Sequence, residues 1–200
     1  VNCWLSVTLT RLDLPDADIR YQAGFLSEED ADNLMAVLQY QIPWRQDRIR
    51  LFGKEHLIPR LQAFMSDPGI GYTYSGLRLQ GVPWPDSLLP LKQQLEILCQ
   101  QPFNALLLNL YRDGQDAMGW HADNEPELGR NPLIASISLG APRRFRLRHN
   151  SSRATHGLTL EHGSLLLMAG STQHHWQHSL PRARRCQSPR INLTFRCIHV

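Results

Sequence analysis

The sequence predicts an α+β chain whose partly helical first half packs on a β sandwich or jelly roll formed by its second half. Three observations carry that expectation. Apolar residues recur at helical spacing twice before residue 100, and after Pro102 the texture changes to short apolar or alternating runs broken by Gly, Asn and Pro. No long linker, internal repeat or low-complexity tract separates the halves, so 200 residues read as a single domain with enough apolar content, 42%, to bury a core.

The first helix is signalled by Ser27, an N-cap residue, followed by the first-turn acids Glu28, Glu29 and Asp30. Leu34, Met35, Val37 and Leu38 then share one face, which predicts a helix over about 28–40. A second helix starts at Asp86, tolerates Pro90 in its first turns and runs through Leu91, Leu95, Ile97 and Leu98. Between them, segments rich in Pro, Gly and Tyr read as short strands and turns. Strands are expected at 103–111, 133–139, 144–148, 157–160, 164–168 and 190–198, a number and spacing that suit a sandwich or jelly roll.

Composition narrows the classes. No apolar run approaches the roughly 18 residues needed to span a bilayer, and the apolar opening at 1–7 has no basic residue before it and no small-residue cleavage pattern after it, so a soluble cytoplasmic protein without a membrane partner is expected. Cys3, Cys99, Cys186 and Cys197 are scattered and form no C-x-x-C pair, which reads as reduced thiols. Net charge is +3, but of 21 basic residues only Lys54 and Lys92 are lysine. The planar guanidinium fork of the others suits phosphate and carboxylate recognition.

His121 and Asp123 stand two apart, so on an extended segment both face the same side and can share one ion. Alone, the tripeptide equally describes a histidine hydrogen-bonded to a loop aspartate. His178 is the best third ligand, because it follows the strand at 164–168 and a turn. His174 and His178, four apart, would suit zinc on a helix; Trp176, Ser179 and Pro181 disfavour a long helix there, which leaves His174 and His175 as bystanders. Two histidines and one carboxylate on one face of an octahedron are the arrangement for non-haem Fe(II) chemistry, whereas zinc favours a closed tetrahedron or one open position.

Residues 190–197 alternate, placing Arg190, Asn192, Thr194 and Arg196 on one face and Ile191, Leu193, Phe195 and Cys197 on the other. An amphipathic strand with a solvated polar face is the plain explanation. Asn109 and Tyr111 repeat the spacing at the end of an apolar strand, so the two strands could instead line a barrel that binds a small dicarboxylate, one arginine near each carboxylate.

Taken in order, Asn109-Leu110-Tyr111-Arg112-Asp113-Gly114, Trp120-His121-Ala122-Asp123-Asn124-Glu125-Pro126, His178-Ser179-Leu180-Pro181 and Pro189-Arg190-Ile191-Asn192-Leu193-Thr194-Phe195-Arg196 resemble the AlkB family of nucleic-acid dealkylating dioxygenases, from about residue 24 to the end of the chain. The resemblance implies a double-stranded β-helix (jelly-roll) core at about 103–200, with helices and a substrate-recognition lid from about 24–102. It implies Fe(II) on His121, Asp123 and His178, with 2-oxoglutarate chelating the metal and O2 as oxidant. Arg196, helped by Tyr111 and Asn192, would meet the distal carboxylate of 2-oxoglutarate; Arg190 and Asn109 would serve its metal-proximal end, with Thr194 on the same face. The implied reaction hydroxylates an N-methyl group on a base, forming succinate and releasing formaldehyde, with no protein nucleophile.

Substrate features follow the same resemblance. Tyr72 and Tyr74 share one face of an extended segment; core packing would explain them, and the resemblance makes them pocket residues, Tyr74 stacking a flipped base against His121. Glu125 would read the exocyclic amine, while Asn124 stands where family members often carry aspartate. Phe52, in the turn Leu51-Phe52-Gly53-Lys54, would be explained by burial, and resembles the finger that duplex-acting members wedge into the helix, although the Trp120 to Pro126 stretch is equally similar to branches that prefer single strands. Arg144, Arg146 and Arg148 share a face, and Arg182, Arg184 and Arg185 cluster after His178; each run reads as a solvated surface or as a phosphate-binding rim beside the site. DNA, double- or single-stranded, is the expected partner, with RNA as the alternative polymer, and the protein is expected to be a monomer. Two rival readings are an oxygenase of the same fold acting on a protein, lipid or small molecule, and a non-catalytic metal- or sugar-binding jelly roll.

Overall fold

The computed structural model describes residues 9–51, 53–74 and 77–199. Phe52 lies outside the described residues, as do the side chains of Tyr72 and Tyr74; the backbone of both tyrosines is described.

In chain order the strands are β1 (Thr10–Arg11), β2 (Asp18–Gln22), β3 (Arg48–Leu51), β4 (Lys54–Leu57), β5 (Leu61–Ser66), β6 (Gly71–Tyr74), β7 (Leu77–Gln80), β8 (Ala105–Tyr111), β9 (Met118–His121), β10 (Ile134–Gly140), β11 (Arg143–His149), β12 (Thr155–Leu160), β13 (Ser164–Ala169), β14 (Trp176–Leu180) and β15 (Arg190–Arg196). Helix α1 (Glu28–Gln41) precedes β3, α2 (Leu89–Cys99) precedes β8, and the single turn α3 (Thr172–His175) precedes β14. A seven-stranded sheet in the order β1-β2-β13-β10-β15-β8-β5 and a four-stranded sheet in the order β12-β11-β14-β9 form the jelly roll; β3–β4 and β6–β7 are separate hairpins.

Both expected helices form. The Ser27 side chain accepts from the Asp30 backbone N–H at 3.1 Å, and the chain leaves α1 at Ile42, just before Pro43. Asp86–Leu88 is a short 3-10 turn leading into α2, which carries Pro90 in its first turn and stops at Gln100 in the left-handed conformation. No helix among the described residues is long and apolar enough to cross a membrane.

The first half is more than helices and hairpins, because β2 and β5 complete the large sheet on either side of the later strands. That sheet is buried on both faces, which explains the near-continuous apolar run of β8. Leu106 and Leu108 face a core shared with Leu38, Leu91 and Leu95 of the helices, while Leu107, Asn109 and Tyr111 face inward. The alternation of β15 divides in the same way: Ile191, Leu193 and Phe195 join the helix-side core, and Arg190, Asn192, Thr194 and Arg196 turn between the sheets. A second core of Ile134, Phe145, Leu147, Leu166, Met168 and Trp176 fills the remaining inter-sheet space. Pairing is antiparallel throughout β8, β15 and β10, with Asn192 opposite both Asn109 and Ser138.

Candidate active site

The cavity between the sheets is built by registry. In the small sheet β14 pairs with β9 so that His178 stands directly opposite His121, with an irregularity between His178 and Leu180. Their rings lie 4.2 Å apart between centroids at 62°, and Phe145 stacks on His178 at 5.3 Å. Asp123 follows the end of β9 and is 2% exposed; its Oδ2 lies 3.9 Å from His178 Nε2. One donor atom from each of His121, Asp123 and His178 falls within 4.8 Å of the others.

Two of these three candidate ligands are held from behind by hydrogen bonds. His121 Nδ1 lies 2.9 Å from the Gly119 carbonyl, which as an acceptor places the ring proton on Nδ1 and leaves Nε2 free to coordinate. The Asp123 backbone N–H donates to Gln173 Oε1 at 3.0 Å, and Arg196 donates to Asp123 Oδ1 at 2.7 Å. Burial alone would raise the Asp123 carboxyl, but Arg196, His178 and His121 together hold it down at about 2. Burial, reinforced by His121, pushes His178 down to about 3, and burial also lowers His121. Both imidazoles are therefore neutral and the carboxylate ionised at physiological pH, the protonation states a divalent cation requires.

The opposite wall comes from the large sheet. Arg190 donates to Ser138 Oγ at 2.9 Å, and its guanidinium carbon lies 5.3 Å from the Tyr111 ring centroid. Asn192 donates to Ser136 Oγ at 2.8 Å and accepts from Thr194 Oγ1 at 3.0 Å; Asn109 Oδ1 accepts from Arg60 Nε at 2.8 Å. Burial lowers the Arg190 guanidinium to about 10, and Arg143 adds to the fall. These positions correct one expectation. Arg196, bonded to Asp123, stands at the metal end of the cavity, and Arg190, beside Tyr111 and Ser138, stands at the other, the reverse of the order inferred from the sequence. Both occupy one face of β15, and alternation alone carries no information about which end of that face meets β9.

The other sequence candidates with described side chains are not among the residues that line this cavity. Glu125 is half-buried and Asn124 exposed, both just past Asp123. Tyr72 and Tyr74 lie in β6, opposite Leu79 and Leu77 of β7. Phe52 lies outside the described residues; its neighbours Leu51 and Lys54 pair across β3 and β4. Arg144, Arg146 and Arg148 do share the outward face of β11, with Trp120 5.5 Å from the Arg146 guanidinium carbon and 4.3 Å from that of Arg148. Arg184 and Arg185 are exposed in the loop after β14.

Five positions escaped sequence reading. Gln173, Arg60 and Arg143 are buried polar residues without periodic company. Ser136 and Ser138 did carry a signal, since they alternate along β10 at the spacing of the Asn192 face. A further group, Asp16, His149 and His175, also brings three donor atoms within 4.8 Å. Both His149 nitrogens are already engaged there, Nε2 with Asp16 Oδ2 at 3.3 Å and Nδ1 with Ser152 Oγ at 3.1 Å, which makes the pair a clasp between the first strands and β11. His174 is exposed and belongs to neither group.

A buried two-histidine, one-carboxylate centre inside a jelly roll defines a class, and comparison with known proteins meets it: the sequence profile of the 2OG-Fe(II) oxygenase superfamily matches residues 18–196. The chain is 42% identical over 180 residues to the bovine DNA oxidative demethylase ALKBH2, covering 84% of this chain and 65% of that protein. It is 39% identical over 186 residues to the bovine alpha-ketoglutarate-dependent dioxygenase alkB homolog 3, covering 88% and 64%. The chain thus spans just under two thirds of the length of these relatives. Its fold matches the solved structure of OsALKBH1 with a TM-score of 0.60 at 17% identity, over 94% of this chain and 99% of that one. This chain belongs to the AlkB family of the 2OG-Fe(II) oxygenases.

Proposed function

We propose that this protein is an Fe(II)- and 2-oxoglutarate-dependent dioxygenase that removes N-alkyl groups from bases in DNA, with RNA as the alternative polymer. The observation that carries the reading is the pairing, inside one cavity, of the His121, Asp123 and His178 donors with two buried arginines on the facing strand. The donor set fits Fe(II): neutral imidazoles and one ionised carboxylate gather on one side and leave the cavity side open. Arg190 fits a dicarboxylate, because its buried Nε has no hydrogen-bond partner and no carboxylate lies within 4 Å of its guanidinium among the described residues.

His121, Asp123 and His178 would hold the metal, and Arg196 would orient Asp123 while meeting the metal-proximal carboxylate of the cosubstrate. Arg190, with Tyr111, Ser138 and Asn192, would take the distal carboxylate. When bound, Fe(II), 2-oxoglutarate and O2 together supply the oxidising power that hydroxylates an N-methyl carbon, with succinate and CO2 as coproducts. Phe145, Leu180 and Met118 line the cavity with apolar surface that keeps water from the reacting carbon. Asn109 and Thr194 complete the polar lining. The hydroxymethylated base then releases formaldehyde.

On the substrate side, Tyr72, Tyr74, Asn124 and Glu125 would receive the base, and Phe52, Arg144, Arg146, Arg148, Arg184 and Arg185 would contact the polymer. The names of the relatives support a DNA substrate. The chain reads as one catalytic domain, residues about 24–102 supplying recognition elements and 103–200 the catalytic core, acting as a cytoplasmic monomer. The test is formaldehyde release from N-methylated oligonucleotides, single- and double-stranded, with Fe(II) and 2-oxoglutarate supplied. Release that needs both additions supports the reading; 2-oxoglutarate consumption without response to any oligonucleotide would move the substrate to a protein, lipid or small molecule.

A further inference from the structure

The charge run that opens β11 hides an exception. The strand alternates so that Arg144, Arg146 and Arg148 face outward, which places Arg143 in the inward register with Phe145 and Leu147. An apolar residue is the ordinary occupant of that register, yet Arg143 is 2% exposed. Its guanidinium donates to the carbonyls of Asp113 at 3.0 Å, Asp116 at 2.9 Å and Pro181 at 2.8 Å. The Asp116 carboxylate is taken by Arg112 instead, at 2.8 Å. No carboxylate oxygen lies within 4 Å of the Arg143 guanidinium among the described residues. A buried guanidinium whose direct hydrogen bonds all go to carbonyls, with the Asp116 carboxylate acting on it only at longer range, is costly to bury and calls for a use.

Its position supplies one. The carbonyls it binds belong to the turn that follows Tyr111 and precedes β9, and to Pro181, the residue that follows β14. One side chain thus fastens together the segments carrying Tyr111, His121 and His178. The same turn is sewn to the loop after β14 from another side, Gly114 N–H donating to Cys186 O and Ala183 N–H to Gly114 O, both at 2.8 Å. A Cβ at Gly114 would overlap the Ala183 carbonyl, so this approach needs glycine. The guanidinium carbons of Arg143 and Arg190 lie 5.8 Å and 5.3 Å from the Tyr111 ring centroid. Two like charges therefore flank one ring at the end of the cavity remote from Asp123, a repulsion that an anionic ligand would relieve.

We propose that Arg143 is a positioning residue for the dicarboxylate end of the cavity: it does not line the cavity, but it fixes Tyr111 and adds to the positive field around Arg190 by tying the 113–116 turn to Pro181. This rests on the dioxygenase reading above. Truncating the fork should be felt in 2-oxoglutarate binding and spare the oligonucleotide, because the outward arginines of β11 are unaffected.

The experiment compares Arg143→Gln and Arg143→Lys with wild type in formaldehyde release, varying 2-oxoglutarate and methylated oligonucleotide separately. The glutamine variant should raise KM for 2-oxoglutarate about tenfold, the scale of one lost charged contact, with kcat and the oligonucleotide KM within about threefold. Lysine keeps the charge but cannot span three carbonyls, so it should restore less than half of that loss. A 2-oxoglutarate KM within about twofold of wild type in a folded glutamine variant, or a parallel rise in both KM values, overturns the proposal and leaves a purely structural brace. Should Arg143→Gln fail to fold, the rise in Tm that 2-oxoglutarate with Mn(II) confers decides the matter. It should be clearly smaller in Arg143→Lys than in wild type, and an equal rise rejects the role. A wild type showing no response to 2-oxoglutarate in turnover or Tm refutes the dioxygenase reading itself, a result separable from any behaviour of the variants.

Discussion

Replacing Arg196 by methionine tests how the site is wired. The change removes the donor that meets Asp123 Oδ1 at 2.7 Å, in a pair whose side chains are 3% and 2% exposed. Breaking a buried pair from one side leaves the other charge uncompensated and costs about 3–5 kcal/mol. For a protein of this length each kcal/mol lowers Tm by about 2–4 °C, so the metal-free variant should melt about 6–20 °C below wild type. Asp123→Asn alone should also destabilise, by removing the buried carboxylate that Arg196 meets at 2.7 Å. The double variant Arg196→Met with Asp123→Asn removes both charges and should recover most of the loss, a coupling that a double-mutant cycle reads directly. Urea titration of the metal-free proteins at neutral pH gives all four free energies. Additive single costs, each under about 1 kcal/mol, would show that the pair is not desolvated and would refute the reasoning. In the metal-loaded protein the same Arg196 variant should lose far more affinity for 2-oxoglutarate than for the oligonucleotide.

His121→Ala, Asp123→Ala and His178→Ala should each abolish 2-oxoglutarate turnover while His174→Ala keeps it, and an inactive His174 variant beside an active His178 variant would reverse the ligand assignment. Stability of the metal-free protein should be full above pH 6.5 and fall as pH drops toward 3, because His178 takes up its proton near 6.5 when unfolded and only at about 3 when folded. Asp123, held at about 2 against an ordinary 3.8, adds a second loss as pH falls from 3.8 toward 2. The urea midpoint across pH 2–8 shows both, and an unchanged profile in His178→Gln would remove the histidine from the account. Arg148→Ala should weaken oligonucleotide binding irrespective of base and reduce the salt dependence by about one counterion, while a variant that keeps the full slope would take Arg148 off the polymer.

The period of two in β15 sorted its residues into a polar and an apolar face without any structure, because side chains must alternate on an extended backbone; that the polar face lines a cavity came from the closed sheets. Ser27 with its acidic neighbours marked the start of α1 for an equally local reason, the unsatisfied N–H groups of a first turn. His121 and Asp123 were legible as a pair through spacing alone. What spacing could not supply was registry between distant strands. That β14 sets His178 opposite His121, and that β15 runs with Arg196 rather than Arg190 beside Asp123, follow from antiparallel pairings between segments more than fifty residues apart in sequence. Buried polar residues without a repeat were invisible for the same reason. Gln173 behind Asp123, Arg60 on Asn109 and Arg143 behind Tyr111 find their partners only when the sheets close, since a lone hydrogen bond leaves no periodic trace in the chain. Local sequence thus determined which residues carry chemistry and which face they occupy; tertiary pairing decided which of them touch, because contact between remote segments depends on strand order and register, and neither is written in any short stretch of sequence.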